Sequence, residues 1–242
     1  MTLSHRFAPP ARLAGLLLGL ALTVGAHADP APPAPFAATY RISGMGVTLA
    51  EGQVRLRHTD SGYVYERETS VRGIASLFRS DEVSERSVGH FRGALPIPTQ
   101  YDYVLKAEGK ERNEHIVFEP GGPNATDQYK GKTTTLPLPP GYQDRASQEL
   151  ALLADLQAGK RRFEYPVVER HKLKDYGFEI VGEERIEVPY GTFDTLRLRV
   201  LRDTDKRSTE LWVAPALDYL PVRTDHIEKG YRASMELVAL ER

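Results

Sequence analysis

Leu196-Arg197-Leu198-Arg199-Val200 sets an apolar side chain at every second position, with arginine between. Successive side chains of a strand point to opposite faces, so this period of two buries one face and wets the other. The pattern recurs in both directions along the chain. Tyr40 and Ile42 alternate with Thr39 and Arg41, and Val54 and Leu56 with Arg55 and Arg57. Tyr63, Tyr65 and Arg67 face opposite Val64, Glu66 and Glu68, and Tyr101, Tyr103 and Leu105 bracket Asp102 and Val104. Phe178 with Ile180, Leu211 with Val213, and Met235 with Leu237 repeat it downstream. Turn residues punctuate these runs roughly every 8 to 15 residues, at Asp60-Ser61-Gly62, Gly121 to Asn124, Pro189-Tyr190-Gly191 and Lys229-Gly230. Gly44-Met45-Gly46, between two strands, reads as a tight turn rather than a phosphate-binding loop. Such spacing predicts an antiparallel sandwich or barrel.

One segment breaks the pattern. Asp144 to Ala158 reads DRASQELALLADLQA, with Ala146, Leu150, Leu153 and Ala154 at helical spacing. Asp144 suits the first turn as a cap, Gly159 suits the end, and Lys160, Arg161 and Arg162 suit the negative pole of the dipole. Leu152 and Leu156 widen the apolar stripe, which predicts a helix more than half buried, across a sheet face or plugging a barrel end. A second helical turn is expected at Ile74 to Phe78. The Pro-rich Leu136 to Gly141 reads as a rigid connection into the helix.

The ends of the chain speak to location. Arg6 and Arg12 precede an apolar run from Leu13 to Val24, followed by Ala26-His27-Ala28. This order predicts a secretory signal peptide over residues 1–28, cleaved between Ala28 and Asp29. The run is shorter than the ~20 residues that cross a bilayer. No Cys follows it, so the expected product is periplasmic without a lipid anchor. Residues 29–35, DPAPPAP, are expected to be a disordered leader, and residues 36–242 a single β-rich domain. No later stretch is apolar enough to span a membrane. Cleavage removes Arg6 and Arg12 and takes the formal charge from −1 to −3, a balance without a footprint for nucleic acid or an acidic membrane surface.

Absent chemistry narrows the function. Without Cys there are no disulfides, thiol nucleophiles, thiolate metal sites or iron–sulfur clusters. No G-x-S-x-G occurs, and Ser76 and Ser147 read as a loop and a first-turn residue. His58, His90, His115, His171 and His226 never pair at ligand spacing, so no metal and no cofactor are expected. Acidic groups such as Asp81-Glu82 with Glu85, Glu183-Glu184, and Asp203 with Asp205 read as solvated strand edges and turns, although paired acids can hydrolyse glycans. The candidate ligand-binding residues are Tyr129, Lys130 and Lys132, together with the lone Trp212. In one reading Lys130 and Lys132 belong to an entry loop and meet an anionic group. In the other, a strand, a Pro-rich turn and a capped helix start account for the same residues.

Five stretches carry a family resemblance: FATYRISGMGVTLAEGQVRL with its extra Ala38 (Phe36 to Leu56), GIASLFRSDEVSERS (Gly73 to Ser87), YKGKTTTLPLPPGYQDRASQELALLADL (Tyr129 to Leu156), PYGTFDTLRL (Pro189 to Leu198) and LWVAPALDYLPVR (Leu211 to Arg223). The chain resembles the bacterial domain-of-unknown-function family 3108, which implies class and location but no activity. The Trp212 strand with its Pro turn and YLPVR strand is also similar to exported lipoprotein carriers with a half-open barrel. The expected fold is therefore mainly β, an antiparallel curled sheet or barrel, closed or half-open, with one packed helix at residues 144–158. The expected function is a non-enzymatic periplasmic module binding a lipid or other apolar ligand or an envelope component. The alternatives are a structural or assembly protein with an envelope protein partner, and an enzyme on envelope glycans.

Overall fold

The computed structural model describes residues 31–72, 81–201 and 207–242. The alternating segments form one antiparallel sheet of 14 strands, in which nearly every strand pairs with its neighbour in sequence. The first half runs β1 (Phe36–Gly44), β2 (Val47–Thr59), β3 (Gly62–Val71), β4 (Glu82–Arg92), β5 (Leu95–Ala107), β6 (Lys110–Phe118), β7 (Asn124–Tyr129) and β8 (Lys132–Pro137). The helix α1 (Ser147–Gln157) follows. The second half runs β9 (Arg162–Glu169), β10 (Lys172–Val188), β11 (Gly191–Leu201), β12 (Arg207–Ala214), β13 (Leu220–Glu228) and β14 (Tyr231–Glu241). β1 pairs with β14, so the two halves join through the chain ends and the free edges are β8 and β9.

The short connections have the chemistry their geometry demands. Met45-Gly46, Lys130-Gly131 and Lys229-Gly230 each have positive φ at both positions. Such mirror-image turns match the twist of the flanking strands and favour glycine. Arg170-His171, between β9 and β10, has the same backbone signs with no glycine at all.

α1 lies inside the curl. Leu150, Ala151, Leu152, Leu153, Ala154 and Leu156 are all buried, so the helix is covered nearly all round rather than along one stripe. Leu150 and Leu153 join the main core, which draws on β1 to β7, β9, β10 and β12 to β14, whereas Ala151, Leu152 and Leu156 join a second core on β9 to β12. Ala146 N and Ser147 N donate to Asp144 Oδ1, so Asp144 caps the helix start as expected. The basic residues placed after the helix behave otherwise: its last turn holds none, Lys160 pairs with Asp155 at 2.7 Å, and Arg162 opens β9. The turn expected at Ile74 to Phe78 and the cleavage site Ala28-Asp29 lie outside the described residues. Residues 31–35 adopt no helix or strand, and Pro33 is buried with its carbonyl accepting from His58 Nε2 at 3.0 Å.

The sheet is not closed by a ladder. Gln143 bridges to β9 instead, donating its N–H to Pro166 O and accepting from Val168 N, both at 2.9 Å, while Gln143 Nε2 reaches Pro96 O on β5. A second clasp crosses the same seam. The N–H of Arg170 donates to Glu114 Oε1 on β6, and the N–H of His171 donates to Asp127 Oδ2 on β7 at 2.6 Å. Glu114 and Asp127 are almost fully buried. Two carboxylates thus hold a glycine-free left-handed turn that would otherwise cost of order 1 kcal/mol per residue. Asp127→Ala should cost roughly 1–3 kcal/mol and reduce amide-exchange protection at Arg170, His171 and Val168. Unchanged protection at those three amides would show that the clasp holds nothing.

Candidate functional site

Between α1 and the concave sheet face lies a cavity of about 230 Å³. Strand parity places it. On β1 and β14, Tyr40 and Met235 line it, one inward step from the core residues Ala38 and Leu237. On β2 and β3 the lining residues are Val54, Tyr65 and Arg67, next to Leu56 and Tyr63 of the core. Val200, Leu211 and Thr224 continue the wall on β11 to β13, with Tyr176 and Phe178 on β10. α1 contributes Gln148, Glu149, Leu152 and Leu153. The lining is mostly hydrocarbon and aromatic.

Its polar end is an ion-pair network. Arg67 Nη1 stands 3.0 Å from Glu149 Oε1 and 3.2 Å from Glu85 Oε2. Arg145 Nη2 lies 2.8 Å from the other Glu85 oxygen, its Nε 3.7 Å from Glu169, and its guanidinium 5.2 Å from the Tyr103 ring centroid. Lys174 and the Tyr176 hydroxyl complete the set on Glu169. Arg67 and Glu149 keep 31% and 32% of their side-chain surface accessible and both line the cavity, whereas Glu85 keeps 6% and does not.

The protonation states follow from these surroundings. Burial works against the Arg67 cation, but the Glu149 and Glu85 carboxylates outweigh it and hold the guanidinium protonated. Burial raises Glu149, partly offset by Arg67. Burial raises Glu169 too, but the hydrogen bond and charge of Lys174 prevail and leave it lowered. Tyr40 and Tyr65 are pushed up by burial and then by Glu149, so both stay hydroxyl donors, to Pro221 O and to Glu149 Oε2, each at 2.9 Å. Below the network, Asp144 is buried and pushed up to about 6, although Ser87 Oγ donates to it at 2.6 Å.

The residues singled out in the sequence fall elsewhere. Tyr129, Lys130 and Lys132 form the β7–β8 hairpin tip, where Lys130 lies over the Tyr129 ring and Tyr129 meets His171 edge-on. Trp212 is buried on β12, donates its indole N–H to Glu184 Oε2 at 2.9 Å and carries Arg223 over its ring. None of the four lines the cavity. The missed residues had signals. Arg67 shares the inward parity of Tyr63 and Tyr65, which sets a charge on a core face. Glu149 stands one helical turn before Leu152 and Leu153, inside the apolar stripe. Among the described residues no group of His, Asp and Glu has the makings of a metal site, and no helix is long and apolar enough to cross a membrane.

The chain belongs to the family of proteins of unknown function DUF3108, whose family model matches residues 36–237. A β-barrel-like protein of the domain of unknown function DUF1849 from Brucella abortus superposes with a TM-score of 0.60 over 87% of this chain and 98% of that one, at 12% identity. At that identity the likeness speaks for the fold alone. A protein with a YmcC-like fold from Bacteroides fragilis covers 89% of this chain and 100% of its own at 11% identity, with a TM-score of 0.33. No curated protein matches.

Proposed function

We propose that this DUF3108 protein is an exported, non-enzymatic binding module that holds an amphipathic ligand under α1. One observation carries the reading: the cavity of about 230 Å³ between the helix and the sheet, apolar along its walls and charged at one end. Empty space in a protein interior forfeits dispersion contacts, and cores are otherwise filled to crystal density. Apolar cavities of roughly 150 Å³ already stay dry and admit small hydrophobic molecules. This one accommodates a slim alkyl segment or a ring system, with a polar group beside Arg67 and Glu149. Export rests on the N-terminal signal pattern, which delivers such a module to an envelope rich in apolar cargo.

An enzyme on glycans fits the geometry less well. Glu85 and Glu149 both bind Arg67 Nη1 and are therefore close enough together for paired-acid chemistry. Yet Arg67 occupies the space between them, and Glu85 does not reach the cavity.

Native mass spectrometry of protein released gently from the periplasm should show a bound small molecule. Thr224→Trp, which adds bulk at the cavity wall, should reduce uptake of a fluorescent fatty acid at least tenfold while the protein stays folded. A bare wild-type mass together with no fatty-acid uptake would overturn the binding reading and favour a protein that works through its surface.

A further inference from the structure

The tyrosine hydroxyls of the cavity wall have partners. Tyr40 donates to Pro221 O and Tyr65 to Glu149 Oε2, each at 2.9 Å, and Tyr176 donates to Glu169 Oε2 at 3.2 Å. The side chain of Gln148 differs. It lines the same cavity from the first turn of α1 and is 7% exposed. Its Oε1 is buried and has no hydrogen-bond partner among the described residues. Gln148, Leu152 and Leu156 recur every four residues, the spacing of one helix face. Leucine at the head of that row would be buried without loss, whereas an amide with an unmade bond is destabilising. A glutamine kept there, against a cavity, is accounted for by a partner that arrives with the ligand.

Arg67 is the second group with bonding capacity left. Its contacts with Glu149 and Glu85 all run through Nη1, so the donors on Nε and Nη2 stay available to the cavity that Arg67 lines. Charge limits what these two groups can receive. Arg67 and Arg145 balance Glu85 and Glu149, and Lys174 balances Glu169. An ionised head group would bring one uncompensated charge into a partly desolvated site. A neutral head group brings none. The ligand that fits is therefore uncharged, with an acceptor for Arg67 and a donor for Gln148 Oε1.

We infer that the cavity selects an amide-linked acyl chain, R–CO–NH–R′. This inference rests on the binding reading above and names the ligand class of that site. The amide oxygen accepts from Arg67 on the sheet side, and the amide N–H donates to Gln148 Oε1 on the helix side. The alkyl chain lies along the apolar wall formed by Leu152, Phe178 and Leu211. A trans amide carries its C=O and N–H on opposite edges, so one planar group can link a strand residue to a helix residue. An ester offers the oxygen without the donor and leaves Gln148 Oε1 unpaired. A carboxylate lacks the donor too, and adds charge where the network is already balanced.

The test is isothermal titration calorimetry of the delipidated mature chain with three probes of one chain length: N-methyloctanamide, methyl octanoate and octanoate. The amide is expected to bind roughly tenfold or more tightly than either the ester or the carboxylate. Gln148→Leu should abolish the preference for amide over ester while leaving the affinity for the ester unchanged. It should also unfold at no lower urea concentration than the wild type, because an unpaired amide leaves the interior. Gln148→Met, closer in shape to glutamine, should lose the preference equally and guards against a packing artefact of the branched side chain. Equal binding of amide and ester, or a carboxylate bound as tightly as the amide, overturns the inference and leaves the binding reading in place. So do Gln148→Leu and Gln148→Met variants that retain the wild-type preference. If neither the three probes nor the fluorescent fatty acid is taken up, the binding reading itself falls, and this inference with it.

Discussion

Arg145→Met is expected to lower the unfolding free energy by about 3–5 kcal/mol, a drop that urea titration at neutral pH would read directly. The side chain touches two carboxylates that water barely reaches, Glu85 at 2.8 Å and Glu169 at 3.7 Å. Methionine approximates the volume of the Arg stem and preserves its packing on Tyr103, so the loss is electrostatic rather than a cavity. Around the cavity end, Arg67 and Arg145 balance Glu85 and Glu149, while Lys174 serves Glu169. Removing Arg145 leaves one excess negative charge in a desolvated site. Neutralising that excess gives the sharper test. Arg145→Met with Glu85→Gln retains the Arg67–Glu149 pair and should be more stable than Arg145→Met alone, although it carries one more substitution. If the double variant is instead less stable by the sum of both changes, the two residues do not act as a pair.

The network also shows where reading a sequence stops. Alternation at Tyr63-Tyr65-Arg67 and Leu196-Leu198-Val200 reports which side chains share a face, because a strand has a fixed period. The helix was legible at Asp144 to Ala158 for the same reason: Leu150, Leu153 and Ala154 repeat at its own period, and Asp144 stands where an orphan N–H needs an acceptor. Both signals are local. What pairs Arg67 with Glu149 is the curl that carries β3 over α1, a separation of 82 positions in the chain. Nothing local encodes that contact. Lys130 and Gly131 form a mirror-image turn, a local structure that Gly131 makes legible without saying what the flanking lysines meet. The candidate residues Tyr129, Lys130, Lys132 and Trp212 thus lie outside the cavity lining, whereas Arg67, on one face with Tyr63 and Tyr65, belongs to it. The same locality hides a second contact: the turns at Met45 and Tyr231, 186 positions apart, become neighbours only because β1 pairs with β14.

Asp144→Asn should remove a pH dependence of up to about 3 kcal/mol between pH 4 and pH 7. Asp144 is fully buried, and burial lifts its carboxyl from 3.8 to about 6 despite donors from Ser87, Ala146 and Ser147. The sign follows from proton counting. Well below pH 3.8 the group is protonated in both states and contributes no difference. Between about pH 4 and 6 the unfolded chain has released the proton while the native state retains it, so stability falls as pH rises. Above about pH 6 the whole penalty is present, because the native state must hold a carboxylate out of water. Asparagine cannot ionise, yet its side-chain oxygen can still accept from Ala146 N and Ser147 N, and its amide can donate to Ser87 Oγ. The helix cap thus survives while the titration disappears. Comparing the two proteins isolates this residue, since Glu114, Asp127 and Glu149, all raised by burial, and the lowered Glu169 titrate in both. The measured quantity is the difference in unfolding free energy between Asp144→Asn and wild type at about pH 4 and at about pH 7. It should move in favour of the variant as pH rises. A difference that stays constant, or that moves toward the wild type, would mean that Asp144 is ionised in the native state throughout this range and that its three donors outweigh its burial.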